Sequence, residues 1–220
     1  MTAPVLIFDL DGTLVDSAPD LTAALNWTLD QEGLPPVALD DVRHMVGLGA
    51  RRLIEQGVSR HGRKMDEEQI DHLLGLFLEY YRDNICRETK IFPDVDTVIP
   101  ALAARHPMGI CTNKPESLAI DLMEKLGLRR YFPVILGGDS VSHKKPDPRH
   151  FQAVHHLLDA ARPAIMIGDS KTDVTTARAA NAPVIAVRFG YSTVAPEELE
   201  ADILIDRFAD LPAAIARLMR

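Results

Sequence analysis

The sequence has little cysteine and no long apolar run. Only Cys86 and Cys111 occur in 220 residues, which excludes a disulfide framework and is typical of a reducing compartment. No apolar stretch approaches membrane-spanning length, and the first residues, Met1-Thr-Ala-Pro4, lack the basic start of a secretion signal. We therefore expect a cytoplasmic protein in which Cys111, within an apolar run, is a buried free thiol.

Positive charge is also scarce. The chain has 24 Lys and Arg residues against 32 Asp and Glu residues, a net charge of −8, and no basic stripe along any segment. This distribution disfavours binding to nucleic acid or to a membrane surface. An acidic protein that handles an anionic substrate needs local positive charge, from a metal ion or from a few placed cations.

Hydrophobic periodicity divides the chain into two parts. Residues 15–85 keep a helical period and predict an all-helical insertion, whose first helix begins at a capping box formed by Ser17 and Asp20. From Phe92 onward, short apolar runs alternate with helical segments, which predicts a parallel sheet with helices on both faces. The expected strands after the first are Met108–Thr112, Val134–Leu136, Ala164–Gly168, Pro183–Val187 and Ile203–Ile205. The expected fold class is therefore α/β, with a Rossmann-like core from residues 1–14 and 86–220.

The first strand, from Val5 to Phe8, leads directly into two acids, Asp9 and Asp11. Unpaired carboxylates at the end of a buried strand are costly, so their presence indicates a cation between them. The alternative is a solvated turn that happens to be acidic. Gly12 follows and lets the backbone turn sharply.

Polar segments also follow three later strands: Thr112-Asn113-Lys114, His143-Lys-Lys145 and Gly168-Asp169-Ser-Lys-Thr-Asp173. Each has a simple structural explanation, as a helix cap, a solvated lysine pair or an acidic helix start. However, ligands of open α/β sheets bind outside the carboxyl ends of the strands, where these segments are expected to meet.

Their combined chemistry fits the handling of a phosphate group. A phosphate needs a divalent cation and neutral or cationic donors to neutralise its oxygens. Asp9, Asp11 and Asp169 offer the hard oxygen ligands that suit Mg²⁺.

In order and spacing, these segments resemble the four motifs of the haloacid dehalogenase superfamily: Asp9-Leu-Asp11-Gly-Thr13, Thr112-Asn113, Lys145-Pro146 and Gly168-Asp169-Ser-x-x-Asp173. The chain is more closely similar to the phosphoglycolate phosphatase family, over essentially its full length. That similarity lies in Asp9–Asp20, Val46-Gly-Leu-Gly49-Ala, Thr112-Asn-Lys-Pro115 and Asp173-Val-x-x-Ala-Arg-Ala-Ala180. The helical insertion, residues 15–85, resembles the α-helical cap of the superfamily.

The resemblance implies a Mg²⁺-dependent phosphatase of a small phosphorylated metabolite, with 2-phosphoglycolate as the expected substrate. It implies that Asp9 is the nucleophile that forms an aspartyl-phosphate, and that Asp11 is the general acid and base. The implied metal ligands are Asp9, the backbone carbonyl of Asp11, and Asp169. Thr112, Asn113 and Lys145 would bind the transferring phosphoryl group, and Asp173 would orient either Lys145 or a metal-bound water.

The specificity elements are expected in the cap, around Gly47, Gly49 and Arg51. Arg51 or Arg52 would pair with a substrate carboxylate; alternatively, Gly49 starts a helix and both arginines are solvated. Two residues depart from the family pattern, because Asp94 and Asn181 stand where relatives usually carry Gly.

Other functions remain open. A pyrophosphatase, a sugar-phosphate phosphatase or a phosphosugar mutase of the same superfamily would carry the same motifs. A catalytically silent binding module predicts decay at one or more of these motifs, and all four are intact. The expected assembly is a monomer or a homodimer.

Overall fold

The computed structural model describes residues 2–219. Its strands are β1 (Val5–Phe8), β2 (Val15–Asp16), β3 (Lys90–Ile91), β4 (Met108–Cys111), β5 (Val134–Leu136), β6 (Ala164–Gly168), β7 (Val184–Val187) and β8 (Ile203–Ile205). Six of them form a parallel sheet in the order β5-β4-β1-β6-β7-β8. The predicted α/β class is confirmed, and each expected strand lies within one residue of its observed bounds.

Nine α-helices are described within residues 2–219: α1 (Ala18–Asp30), α2 (Leu39–Arg43), α3 (Ala50–Arg60), α4 (Glu67–Asn84), α5 (Val95–Ala103), α6 (Glu116–Lys125), α7 (Pro148–Asp159), α8 (Lys171–Ala179) and α9 (Leu211–Leu218). Short 3₁₀ turns cover Arg129–Tyr131, Pro196–Leu199 and Phe208–Asp210. Within the same residues, no helix combines the length and the apolar character needed to cross a bilayer.

The central strand β1 is buried on both faces, as its continuous apolar sequence predicts. Leu6 and Phe8 join the larger hydrophobic core, where the Phe8 ring meets Phe132 edge-on at 5.7 Å. Val5 and Ile7 point to the other face and pack with residues of α7 and α8. Because β1 lies between β4 and β6, its carboxyl end lies near the middle of the edge formed by the carboxyl ends of the strands.

The helical insertion is a bundle in which α4 packs against α1 and α3. Trp27 of α1 stacks on Tyr80 of α4, with 4.9 Å between the ring centroids. The prediction that residues 15–85 are entirely helical is wrong at their first two residues. Strand β2 pairs antiparallel with β3, Val15 facing Ile91, so the two chain crossings between sheet and bundle are joined by backbone hydrogen bonds.

The predicted capping box at the start of α1 is also wrong. The Ser17 side chain makes no cap bond and instead donates to Asp11 Oδ1 at 2.5 Å. The buried Asp20 carboxylate accepts the backbone N–H groups of Arg87, Glu88 and Thr89 at 2.9–3.1 Å. Both polar side chains therefore bind partners that are distant in the fold rather than the backbone of their own helix turn.

Asp94 and Asn181, which stand where relatives usually carry Gly, both have left-handed backbone conformations. Asp94 has φ = 69° and Asn181 has φ = 54°. Aspartate and asparagine adopt this region more readily than other non-glycine residues, so both positions keep the conformation that glycine favours. Asp94 stands at the N-terminus of α5, where it is exposed.

Candidate active site

The end of β1 leads into a small cavity of about 40 Å³ between the sheet edge and the helical bundle. The sheet contributes Asp9 and Asp11 to its wall, together with Thr112 and Asn113 after β4. The bundle contributes a segment that contains Gly47 and Gly49. The cavity thus lies where the carboxyl ends of parallel strands place their polar residues.

Lys145 is buried between two carboxylates. Its Nζ lies 2.9 Å from Asp9 Oδ1 and 2.6 Å from Asp173 Oδ1. Burial by itself lowers the pKa of an ammonium group, but the carboxylates of Asp173 and Asp9 raise the pKa of Lys145 above its usual value. Lys145 is therefore a permanent cation beside Asp9.

Asp9 is buried at the end of β1, and its backbone N–H donates to Ile167 O at 2.8 Å. The pKa of Asp9 is raised to about 7, because burial and the nearby Asp173 carboxylate together outweigh the lowering effect of Lys145. The Asp9 carboxylate thus stands in a site with more negative than positive charge.

The donor set at this point fits a divalent metal ion. Carboxylate oxygens of Asp9, Asp169 and Asp173 all lie within 4.8 Å of one another, and all three residues are buried. Burial raises the pKa of Asp169, and the charges of Asp173 and Asp9 raise it further. Three acids beside one lysine leave an excess of buried negative charge, which a cation with hard oxygen ligands would neutralise.

Hydrogen bonds divide these acids into two kinds. Asp173 Oδ2 accepts the backbone N–H groups of Asp169 and Ser170 at 3.2 and 3.1 Å, while its Oδ1 faces Lys145. Asp169 accepts from Thr13 Oγ1 at 3.0 Å and from the backbone N–H of Tyr191 at 2.7 Å. Ser170 Oγ also donates to Asp173 Oδ2, so within residues 2–219 Asp173 accepts four donors, whereas Asp169 accepts two and the Asp9 carboxylate faces one, Lys145. Asp9 and Asp169 therefore have more lone pairs left for a metal ion than Asp173 has.

Glycine at position 12 lets the Asp169 carboxylate lie directly against the backbone of the loop that follows β1. Gly12 has φ = 87°, and a Cβ built on it would lie 2.4 Å from Asp169 Oδ2. A side chain at position 12 would therefore displace the Asp169 carboxylate and would also strain the backbone.

Asp11 projects into the cavity and has two side-chain partners. Lys114 Nζ lies 3.1 Å from its Oδ1 and 3.4 Å from its Oδ2, and Ser17 Oγ donates to Oδ1. Lys114 also donates to the phenol oxygen of Tyr81 in α4 at 2.7 Å. Asp11, a core residue, is thereby connected to the helical bundle.

Asn113 forms a second connection between the sheet edge and the bundle. Its Nδ2 donates to Gly47 O at 2.9 Å and to Lys145 O at 3.0 Å. Its Oδ1 is buried and has no hydrogen-bond partner within residues 2–219. Thr112 Oγ1 accepts the backbone N–H of Lys114 at 3.2 Å, which leaves its own O–H able to donate to a ligand.

The structure does not bring Arg51 to the cavity wall. Gly49 precedes α3 with φ = 91°, which turns the chain so that Arg51 pairs with Glu67 and Asp71 of α4. Arg52 pairs with Glu55 at 2.7 Å. Both guanidinium groups therefore contact acids of the bundle rather than the cavity.

The sequence patterns did not predict the roles of Lys114, Ser17 and Tyr191. Lys114 belongs to the Thr112–Pro115 motif and is 6% exposed, but nothing in the sequence shows which acid it meets. Tyr191 follows the last residues of the matched motifs, and its phenol donates to Asp16 at 2.5 Å while its backbone N–H donates to Asp169. No local period or spacing predicts such a contact.

Comparisons with known proteins identify the family of the chain. Residues 6–187 match the family described as haloacid dehalogenase-like hydrolase. The chain is 43% identical to a phosphoglycolate phosphatase of Agrobacterium fabrum, covering 97% of this chain and 92% of the relative. It is 42% identical to a phosphoglycolate phosphatase of Mesorhizobium japonicum, covering 100% and 98%.

A solved structure shows the same architecture. The crystal structure of a predicted phosphoglycolate phosphatase from Haemophilus somnus superposes with a TM-score of 0.88 at 28% identity, covering 97% of this chain and 99% of that one. The resemblance found in the four sequence motifs is confirmed by these matches. The chain belongs to the haloacid dehalogenase-like hydrolases, and within them it is a phosphatase.

Proposed function

We propose that this phosphatase hydrolyses 2-phosphoglycolate to glycolate and phosphate, with Mg²⁺ and through an aspartyl-phosphate on Asp9. The observation that carries the mechanism is the buried ion pair of Asp9, which lines the cavity, with Lys145 at 2.9 Å. The names of the relatives from Agrobacterium fabrum and Mesorhizobium japonicum support the substrate.

The metal would be held by Asp9, the backbone carbonyl of Asp11, and Asp169. When bound, Mg²⁺ supplies positive charge that neutralises the phosphoryl oxygens. Asp173 would not be a direct ligand, because its oxygens already accept four donors, from Lys145, Ser170 and the backbone of Asp169, whereas within residues 2–219 each Asp169 oxygen accepts only one.

The chain's own residues would carry the two chemical steps. In the first, an Asp9 oxygen forms a bond to phosphorus while the bond to the ester oxygen breaks, and Asp11 gives its proton to the leaving alkoxide. In the second, Asp11 takes a proton from the water that attacks phosphorus, and Asp9 is released as a carboxylate together with phosphate. Lys145, with Thr112 and Asn113, would bind the phosphoryl oxygens throughout.

Residues 15–85 would act as a cap that excludes bulk water from the site. The cavity of about 40 Å³ and the bond from Asn113 to Gly47 support a closed arrangement over a small leaving group. Gly47 and Gly49 would set the shape of this cap loop.

The free thiols of Cys86 and Cys111 support a cytoplasmic location.

The test is phosphate release from a panel that contains 2-phosphoglycolate, pyrophosphate, hexose phosphates and p-nitrophenyl phosphate. We expect 2-phosphoglycolate to give the highest kcat/KM. Asp9→Asn should keep the circular dichroism spectrum and lower kcat by about 10³-fold or more, because the side chain that forms the covalent bond is lost.

Two results would contradict the proposal. Near-normal turnover by Asp9→Asn would exclude Asp9 as the nucleophile. A higher kcat/KM for pyrophosphate or for a hexose phosphate would exclude 2-phosphoglycolate as the preferred substrate and favour one of the alternative activities.

A further inference from the structure

In the part of the chain that the structure describes, the wall of the cavity beside Asp9 contains two acidic side chains and one cationic side chain. Within the described residues 2–219, Lys114 is the one cationic side chain on its wall, and Asp9 and Asp11 are the acids. Most of the remaining wall is apolar and comes from Leu21, Val46, Ala50, Leu53, Pro115 and Leu118. An anionic group that enters such a wall needs a charged partner, because a buried unpaired carboxylate is costly.

The position of Lys114 fits a group on the leaving-group side of the substrate. Its side chain is 3% exposed, and its Nζ lies 3.1 Å from the Asp11 carboxylate, whose proposed role is to protonate the leaving oxygen. An ammonium group carries three N–H donors. Lys114 donates to the Asp11 carboxylate and to the Tyr81 phenol. The third N–H of its ammonium group therefore remains available for a ligand.

Tyr81 adds a neutral donor at the same point. It lies in α4, is buried, and stacks on Phe77 with 5.8 Å between ring centroids. Burial raises the pKa of Tyr81 well above its usual value, so the phenol keeps its proton. Because Lys114 donates to the phenol oxygen, the phenol O–H is available to donate to a second acceptor.

The arginines of the cap are poor competitors for this role. Arg51 is paired with Glu67 and Asp71, and Arg52 with Glu55, and neither lines the cavity. To bind a substrate carboxylate in the cavity, either arginine would have to give up these ion pairs.

We propose that Lys114 and Tyr81 together bind the carboxylate of the leaving group, and so select phosphorylated short hydroxy acids over phosphate esters whose leaving group carries no charge. The inference rests on the proposed function and adds the residues that recognise the substrate's second anionic group. Lys114 belongs to the core and Tyr81 to the cap, so one carboxylate contacts both parts of the protein. A substrate without that group would make neither of these two contacts.

The experiment compares kcat/KM for 2-phosphoglycolate with kcat/KM for 2-phosphoglycolamide, which has nearly the same size but no carboxylate. The wild-type protein should prefer the acid. Lys114→Met should reduce that preference by about 10- to 100-fold, the range of a hydrogen bond to a charged group. If the loss of Lys114 also disturbs Asp11, both esters are hydrolysed more slowly. That change cancels in the ratio of the two kcat/KM values.

Tyr81→Phe is the second variant, and it keeps the buried ring. It should reduce the same preference by about 3- to 10-fold, mainly by raising KM for 2-phosphoglycolate, because it removes one hydrogen-bond donor. Lys144→Met is the matched control, since Lys144 is exposed and outside the cavity wall. Arg51→Met tests the competing arginine, and both controls should keep the wild-type preference.

The outcomes separate this inference from the function on which it rests. Equal kcat/KM for the two esters in the wild-type protein, or an unchanged preference in Lys114→Met and Tyr81→Phe, would overturn the inference and leave the phosphatase intact. Loss of the preference in Arg51→Met alone would overturn it in favour of the cap arginine. Wild-type protein that hydrolyses neither ester would overturn the proposed substrate itself.

Discussion

Lys145→Met is expected to destabilise the fold strongly, because Lys145 separates acids that would otherwise repel one another. Its Nζ lies 2.9 Å from Asp9 and 2.6 Å from Asp173, and its side chain is 1% exposed. Methionine keeps much of the aliphatic volume but removes the charge. Removing one partner of a buried ion pair costs about 3–5 kcal/mol in the free energy of unfolding.

The measurement is urea denaturation followed by circular dichroism at pH 7, with EDTA present so that no metal compensates for the lost charge. With a slope of about 2 kcal/mol per molar urea, the unfolding midpoint should fall by about 1.5–2.5 M. Lys144→Met, the same substitution at the exposed neighbouring position, should change the free energy of unfolding by no more than about 0.5 kcal/mol.

A double variant tests the cause. Lys145→Met combined with Asp173→Asn removes a charge of each sign, so it should be at least about 1 kcal/mol more stable than the sum of the two single effects predicts. Additive effects, or a Lys145→Met protein as stable as Lys144→Met, would refute the conclusion that Lys145 neutralises buried carboxylates.

Two further predictions concern the metal and the loop after β1. EDTA should abolish phosphate release and added Mg²⁺ should restore it, because the proposed mechanism needs a cation held by Asp9 and Asp169. Activity that EDTA does not change would show that the reaction needs no metal ion. Gly12→Ala should lower the free energy of unfolding by about 2–5 kcal/mol, since it combines a left-handed backbone with a Cβ 2.4 Å from Asp169 Oδ2. Gly33→Ala, at φ = 65° with no atom within 4 Å, should lose only about 1–2 kcal/mol, and equal losses in both variants would contradict the packing argument.

The sheet of this protein was predictable because its four central strands are buried on both faces and therefore have continuous apolar sequences. The short pair of β2 and β3 was not predicted, because two residues carry no detectable period. Its partners, Val15 and Ile91, are brought together only when the insertion folds back to the sheet.

The convergence of Asp9, Lys145 and Asp173 was also predictable in outline. Residues that follow parallel strands meet at one edge of a sheet whatever their separation along the chain. The distances of 2.9 and 2.6 Å at Lys145 show that this general rule brings these three side chains into contact.

Ser17 and Asp20 show where local patterns fail. Their spacing fits a capping box, yet Ser17 binds Asp11 and Asp20 binds the backbone of residues 87–89. A side chain at a helix start can satisfy either the local backbone or a distant partner, and the sequence alone does not show which partner is near.

By itself, the sequence determined the parallel sheet and the helical insertion, since apolar runs and helical periods are local properties of the chain. It also determined the edge at which the acids and Lys145 gather, because residues that follow parallel strands meet at one edge of the sheet. Only the tertiary structure decided that Lys114 meets Asp11 and Tyr81, and that Arg51 meets Glu67 and Asp71 instead of the cavity. These contacts join residues whose distance depends on how the bundle packs on the sheet, and no pattern along the chain encodes that packing directly.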